Sequence, residues 1–420
     1  MLEKFVIKGG RKLKGKIKIS GAKNSALPLL AASILSENGL ILENVPNVAD
    51  VRTMLTALEL LGVKFEFDKK RGRIEIDSSN VKPVEIPYDI IRRMRASVLL
   101  MGPLLARFKK AFVYTPGGCA IGARPIDLHI EAFKKLGADY KVKEGYSILK
   151  TRKLKGNFIY FDKVTVTGTE NVVMASVFVE GETVIENAAI EPEVVDLCEC
   201  LVKMGANIEG IGTKSLRIKG VKKLEKVTHK VIPDRIEAGT FVIAAAVTKG
   251  KVEIENVIPS HLDTFLSKVR DAGVNIAINK ESIIVNESDD IKPVDIETLP
   301  YPGFPTDLQA QFMVLMLKAK GVSHIKENIF ENRFQHVQEL IRLGADIKLN
   351  GNVAVVKGGN PLTGADVMAT DLRASASLVL AGLFAKGVTR VHRIYHLDRG
   401  YERFEEKLNR LGAVISRERD

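Results

Sequence analysis

Tryptophan is absent from this chain of 420 residues, and 17 Phe with 8 Tyr hold the aromatic share to 6%. Proteins that grip single-stranded nucleic acid interleave basic residues with aromatic stacking platforms. The net charge of +12 therefore does not by itself point to nucleic acid. Its excess is local, because residues 1–23 carry eight Lys or Arg against the single acid Glu3. Much of that stretch alternates as Lys14-Gly-Lys-Ile-Lys-Ile, a strand with its lysines on one solvated face. Small anionic substrates suit the basic balance better than a polymer does.

Cysteine is nearly as scarce. The three residues, Cys119, Cys198 and Cys200, are too few for a disulfide framework in a chain of this length. No apolar run approaches the roughly 18 residues that span a bilayer, and Met1-Leu-Glu-Lys opens without the apolar core of a signal peptide. The expected compartment is the cytoplasm, with no membrane partner. A complete phosphate-binding loop or dinucleotide fingerprint is missing too, Gly210-Ile-Gly212 being a lone fragment. Cys198 and Cys200 stand two apart on a helix with no Cys or His at zinc spacing nearby, which reads as packing. His392 and His396 have ligand-like spacing, but Val391-His-Arg-Ile-Tyr-His reads as extended, which parts their side chains.

What the chain does have is repetition. A helix-end signature recurs as Leu61-Gly62-Val63, Leu136-Gly137-Ala138, Met204-Gly205-Ala206, Ala272-Gly273-Val274, Leu343-Gly344-Ala345 and Leu411-Gly412-Ala413. The glycines lie 75, 68, 68, 71 and 68 residues apart. Each follows an amphipathic helix and suits the left-handed position that ends one. In step with them come apolar helices rich in small residues, at 25–35, 95–106, 171–179, 239–248, 308–318 and 373–384. They are apolar nearly all round, which predicts burial beneath sheets, and their Ala, Ser and Gly allow close helix–helix approach. The expected fold is α/β (α+β), six βαβαββ units of about 70 residues. An open solenoid is the competing arrangement. Two globular lobes of three units each fit better, with a crossing near Val231-Ile-Pro-Asp234.

Unusual polar residues gather where the apolar helices begin: Lys23 and Asn24, Arg95, Thr165 with Thr167 and Thr169, Arg235 with Glu237, Thr306-Asp307, and Thr370-Asp-Leu-Arg373. Helix N-termini expose unpaired N–H groups and carry partial positive charge, so they attract anions. Capping is the plainer account, and it suits Thr306 and Thr370. It does not suit Lys23, Arg95 or Arg373, because a cation there opposes the helix dipole and needs an anionic partner. If all six starts share a cleft, they form a pocket for a highly anionic substrate. The segment Pro116-Gly-Gly-Cys119-Ala-Ile-Gly-Ala-Arg124-Pro125 differs in kind. A lone cysteine is usually an inert core residue, yet on a glycine-rich polar loop a reactive thiol is comparably favoured.

These residues resemble a known family, the UDP-N-acetylglucosamine enolpyruvyltransferases, along essentially the whole chain. The resemblance rests on Gly21-Ala-Lys-Asn-Ser, Met94-Arg-Ala-Ser, the Cys119 loop through His129, Pro233-Asp-Arg-Ile-Glu-Ala-Gly-Thr, Phe304-Pro-Thr-Asp, Phe330-Glu-Asn-Arg-Phe, Thr370-Asp-Leu-Arg-Ala and His396-Leu-Asp-Arg-Gly-Tyr-Glu. It implies a two-lobed inside-out α/β barrel, with lobes at 22–229 and at 1–21 plus 230–420. It implies transfer of the enolpyruvyl group of phosphoenolpyruvate to the 3′-hydroxyl of UDP-N-acetylglucosamine, the first committed step of peptidoglycan synthesis, without metal or organic cofactor. That step serves cell-wall biogenesis, cell shape and division, and is the target of fosfomycin. By the same resemblance Lys23, Asn24, Arg124, Arg373 and Arg399 match phosphoenolpyruvate positions. Arg95, Arg124, Pro125, Ile126, Asp127, Leu128, Lys163, Val164, Thr165, Val166, Asp307 and Ile329 match UDP-sugar positions. Cys119 matches the loop cysteine that forms an adduct with phosphoenolpyruvate, and serves as acid or covalent carrier. Asp307 matches the base for the hydroxyl, with Lys23 and Arg399 completing the catalytic set. Thr167-Gly-Thr-Glu170 departs from some members. The alternatives are a 3-phosphoshikimate 1-carboxyvinyltransferase or a non-catalytic UDP-sugar-binding paralogue.

Overall fold

The structure is a computed structural model that describes residues 3–87, 95–114 and 126–419. The described residues divide into two compact units, one holding those between Gly21 and Tyr114 and between Ile126 and Ile232, and the other joining the stretch up to Ser20 with Pro233 onward. Each has its own core. One gathers buried side chains from Ala26 to Val231, and the other Phe5 to Ile19 with Ile236 to Ile415.

Helices alternate between two roles along the chain. In the first unit they are α1 (Lys23–Ala32), α2 (Ala49–Leu60), α3 (Met101–Phe108), α4 (Asp127–Lys135), α5 (Val166–Ser176) and α6 (Pro192–Lys203). In the second they are α7 (Arg235–Val247), α8 (Asp263–Asp271), α9 (Gln309–Lys318), α10 (His336–Arg342), α11 (Leu372–Phe384) and α12 (Phe404–Arg410). The odd-numbered helices are the apolar ones. In α7 every residue from Ile236 to Val247 is buried, and in α11 every one from Arg373 to Leu383. Small residues let two of these pairs close up. A Cβ on Gly102 of α3 would come within 2.4 Å of the Asn171 carbonyl oxygen on α5, and one on Gly239 of α7 within 2.5 Å of the Leu308 side chain. The even-numbered helices bury one face only, as α8 does through Phe265, Leu266 and Val269.

Six sheets surround the inner helices, five of four strands and one of three among the described residues. Each four-stranded sheet begins with a parallel pair and continues with two antiparallel strands. Lys14–Lys18 lies parallel to Lys251–Glu255 with Ile17 opposite Ile254, and Lys251–Glu255 then pairs antiparallel with Ser282–Val285. Alternation sends Val252 and Ile254 inward and Lys251 outward. The last strand of the first unit, Thr228–Lys230, returns to lie parallel to Leu40–Glu43, so its three repeats close on themselves. The second unit closes through the N-terminal strand Glu3–Lys8, which pairs with Val388–His392 and Ile415–Arg419. Each unit is an inside-out α/β barrel of three repeats, and the open solenoid is overturned by these closing pairs.

All six recurring glycines end an outer helix with positive φ, from 83° at Gly273 to 108° at Gly205. The turn after them is the same each time. Val63 N donates to Leu58 O at 3.0 Å and Gly62 N to Glu59 O at 2.9 Å, and Ala413 N donates to Leu408 O at 3.1 Å and Gly412 N to Asn409 O at 2.9 Å. This doubled bond requires a left-handed residue, which glycine adopts without strain. A comparison of two glycines separates backbone strain from crowding. Gly205 has open space around it, so Gly205→Ala should cost about 1–2 kcal/mol through φ alone. Gly102→Ala should cost about 1–3 kcal/mol through overpacking at a normal φ. Urea denaturation checks both, and crystal structures should show Asn171 displaced only in the second variant.

Candidate active site

The polar residues at the starts of the inner helices fall into two sets, one in each unit. In the first unit Lys23 is the opening residue of α1, with Asn24 beside it, both half-buried. The helix has no side-chain cap, and a cation at its start is unfavourable unless neutralised. Asp50, in the first turn of α2, supplies the neutralisation: its Oδ2 is 3.1 Å from Lys23 Nζ, with the side chains only 4% and 12% exposed. Two residues on, the Ser25 hydroxyl donates to Asp196 Oδ2, and Asp196 also meets His229 Nε2 at 2.8 Å. The start of α1 is thereby fixed from two sides.

Arg95 opens the tight turn Arg95–Leu100 that leads into α3. Buried Ile126 precedes α4, with Asp127 exposed and Leu128 half-buried in its first turn. Exposed Lys163 and half-buried Val164, Thr165 and Val166 lead into α5, where Thr165 is the N-cap and accepts from Gly168 N at 3.2 Å. A residue with no role assigned from sequence joins the last two segments. His129, 3% exposed, lies 3.0 Å from Asn171 Nδ2 through Nδ1 and 3.3 Å from the Thr167 hydroxyl through Nε2. The amide nitrogen can only donate, so Nδ1 accepts and Nε2–H donates to Thr167. Cys119, Arg124 and Pro125 lie outside the described residues.

In the second unit the centre is Asp307, on the turn Thr306–Leu308 ahead of α9. Its Oδ1 accepts from Arg333 Nη2 at 2.9 Å, and its Oδ2 from Arg373 Nε at 3.1 Å and Nη2 at 2.9 Å. Both arginine side chains are 4% exposed and the aspartate 26%. Burial would raise the carboxyl's pKa, but the charges of Arg373 and Arg333 outweigh it and hold Asp307 far below the ordinary carboxylate range. The Arg373 guanidinium also lies 5.4 Å from the Tyr401 ring centroid, and the Tyr401 hydroxyl is 2.8 Å from Thr240 Oγ1. Arg399 ends the turn Ile394–Arg399, and Ile329 follows the strand Val322–Lys326, both half-buried.

The capping account fails at both threonines. Thr306 does not cap: its hydroxyl donates to Glu327 Oε2 at 2.9 Å. At α11 the cap is Asp371, which accepts from Arg373 N and Ala374 N, and not Thr370. An aspartate next in line competes better for the free N–H groups than a threonine before it. Nor is the stretch through His396 extended. The strand ends at His392, Arg393 turns to a φ of 58°, and His396 sits in a tight helical turn. His392 is instead paired with Asp366 at 2.9 Å. No group of three His, Cys, Asp or Glu side chains among the described residues could hold a metal ion. Arg333 was present in Phe330-Glu-Asn-Arg-Phe, but only the fold reveals what it faces. Asp50 carried no signal, since a first-turn acid is ordinary in an outer helix.

The Asp307 cluster has a measurable signature. Its folded pKa lies below the unfolded value of about 3.9, so the stability it adds is complete above that pH and fades as pH falls below it. Asp307→Asn should cost about 3 kcal/mol at pH 7, leaving two buried cations without their counter-charge. At pH 3 the loss should be about 1 kcal/mol smaller. Urea melts at both values test this, and equal losses would remove the ion-pair account.

A family model described as EPSP synthase (3-phosphoshikimate 1-carboxyvinyltransferase) matches residues 7–408. The UDP-N-acetylglucosamine 1-carboxyvinyltransferase of Campylobacter hominis is 57% identical, covering 98% of this chain and 98% of its own. Its counterpart from Koribacter versatilis is 53% identical over 99% and 96%. Among solved structures, the enolpyruvyl transferase NikO from Streptomyces tendae matches with a TM-score of 0.90 at 24% identity, covering 99% of each chain. EPSP synthase from Acinetobacter baumannii matches at 0.78 and 20%, over 99% of this chain and 100% of its own. Those two likenesses speak for the fold, and the closer sequence relatives for the branch. The chain belongs to the enolpyruvyl transferases, a family of carboxyvinyl-transferring enzymes, within the branch named for UDP-N-acetylglucosamine.

Proposed function

We propose that this protein transfers the enolpyruvyl group of phosphoenolpyruvate to the 3′-hydroxyl of UDP-N-acetylglucosamine, releasing phosphate, as the cytoplasmic first step committed to peptidoglycan. The observation that carries the proposal is identity above one half, over nearly full length, to carboxyvinyltransferases of that acceptor. A shikimate 3-phosphate acceptor has less support, since the EPSP synthase likeness in solved structures stands at 20%. No helix among the described residues is long and apolar enough to cross a membrane. Neither nucleic acid nor a membrane enters the reaction.

The chemistry assigns each group a task. The sugar oxygen bonds to C2 of phosphoenolpyruvate while a proton joins the C3 methylene, giving a tetrahedral adduct. Loss of a C3 proton and of phosphate from C2 then restores the double bond. Cations at Lys23, Arg124, Arg373 and Arg399 hold the phosphate and carboxylate, with Asn24 as a neutral donor. Cys119 supplies the proton or carries the group covalently. Arg95, Arg124 to Leu128, Lys163 to Val166 and Ile329 hold the UDP-sugar. Asp307 takes the hydroxyl proton, but with both oxygens bonded to arginine it is a weak base. Its basicity rises when an anionic substrate draws Arg373 away, which couples proton removal to the presence of phosphoenolpyruvate. The two units are proposed to act as the lobes of this enzyme, at 22–229 and 1–21 with 230–420.

Phosphate release should require phosphoenolpyruvate and UDP-N-acetylglucosamine together and should not occur with shikimate 3-phosphate. Release with shikimate 3-phosphate alone as acceptor would transfer the protein to the other branch. Fosfomycin, an epoxide that mimics phosphoenolpyruvate, should add its mass to Cys119 and abolish turnover. Cys198 and Cys200 should stay unmodified, because burial pushes both thiols up to about 12. Full activity after stoichiometric labelling of Cys119 would end its catalytic role, while Cys119→Asp should keep some turnover and lose the label.

A further inference from the structure

Glu327 is 3% exposed, and its carboxylate accepts four hydrogen bonds from uncharged donors. Oε1 takes Thr298 Oγ1 at 2.9 Å, Ile329 N at 2.9 Å and Phe330 N at 3.1 Å, and Oε2 takes Thr306 Oγ1 at 2.9 Å. The direction at Thr298 is fixed, because an ionised carboxylate can only accept; the same hydroxyl accepts in turn from Asn328 N at 2.9 Å. A buried carboxylate without a cation is costly unless hydrogen bonds replace its hydration. A side chain so placed has to secure something that a neutral residue would hold less firmly, since bonds to a charged acceptor are about twice as strong.

What it secures is one closed ring. The loop after the strand Val322–Lys326 begins at Glu327 and reaches Arg333. Its first residue binds the hydroxyl of Thr306, and its last binds the carboxylate of Asp307, the next residue along, at 2.9 Å. Two neighbouring residues of the turn Thr306–Leu308 therefore hold both ends of the loop that carries Ile329. We propose that Glu327 is a positioning residue that staples this loop to the turn. It sets Asp307 for proton removal and Ile329 for the UDP-sugar in one geometry. The inference rests on the functional roles proposed above for Asp307 and Ile329, while the staple rests on the bonds themselves.

The arms of the ring can be cut separately. Thr306→Val removes only the bond beside Asp307, and should lower kcat about tenfold with KM for UDP-N-acetylglucosamine nearly unchanged. Thr306→Ser, which keeps the hydroxyl, should restore kcat. Glu327→Gln keeps the shape but loses the charge, and should lower kcat and also raise that KM about threefold or more. Hydrogen exchange of the Ile329 and Phe330 amides, measured without substrate, should be faster in Glu327→Gln than in wild type. Wild-type kcat and KM in Thr306→Val and Glu327→Gln, with only a lower melting temperature, would overturn the positioning role. Exchange as slow as wild type in Glu327→Gln would overturn the staple. A wild-type protein that released no phosphate from the two substrates would instead remove the functional reading, and the exchange result would still decide whether the staple exists.

Discussion

A helix buried on every side has only its ends available for polar chemistry, because a polar group along its length meets apolar neighbours and loses its hydration. Six helices of this protein are under that constraint. One polar side chain within them, Asn171, is satisfied internally, by Gly102 N, Val98 O and His129. Lys23, Asp307 and Arg373 lie at or just before the N-terminal ends, where strand turns into helix. The repeat thus delivers a candidate site by the same packing that stabilises each barrel. Three inner helices per unit give three starts per unit; Lys23, Asn24, Thr165, Val166, Asp307 and Arg373 lie on or beside them, whereas Ile126 to Leu128, Ile329 and Arg399 lie elsewhere.

Placing cations at those starts runs against the helix dipole, and the two best-defined cases resolve the conflict alike. Lys23 is offset by Asp50 and Arg373 by Asp307, each from a different element of the same unit. The pairs differ in accessibility. Asp50 is 4% exposed and Lys23 12%, whereas Asp307 is 26% exposed while its two arginines are nearly covered. Asp307 is the most exposed side chain of the second cluster. This polarity suits a group that meets a hydroxyl of an incoming sugar, and it leaves the arginines to set the charge around it.

Sequence alone made the repeat legible because its marker is local: a glycine that must take positive φ follows each outer helix, whatever surrounds it. The apolar helices were legible for a similar reason, since burial on all faces is written in composition. Partnership was not. Asp50, His129 and Glu327 act through residues 27, 38 to 42, and 21 to 29 positions away, apart from Glu327's bonds to the two amides that follow it. Nothing in the local pattern separates them from surface acids or a packing histidine. The cap expected at Thr306 failed on the same ground, whereas Thr370 lost to its neighbour Asp371. Thr306 and Asp371 each have a hydrogen-bonding side chain at a helix start, and only the position of Glu327 decides that the first is drawn elsewhere.

The cysteines show how far environment overrides residue type. Cys198 and Cys200 lie in the core of the first unit, where loss of hydration penalises the thiolate and nearby Glu170 or Asp196 adds to the penalty. A thiol held near 12 is almost wholly protonated at neutral pH, so it neither attacks carbon nor transfers a proton at a useful rate. That sets both apart from Cys119, the cysteine among glycines in the sequence to which thiol chemistry is assigned in the proposal above. Asp307 stands at the opposite extreme, its carboxyl held far below the ordinary carboxylate range. The thiols are kept from ionising chiefly by burial and the carboxyl is kept ionised despite it, and the difference is the presence of two guanidinium groups within 3.1 Å.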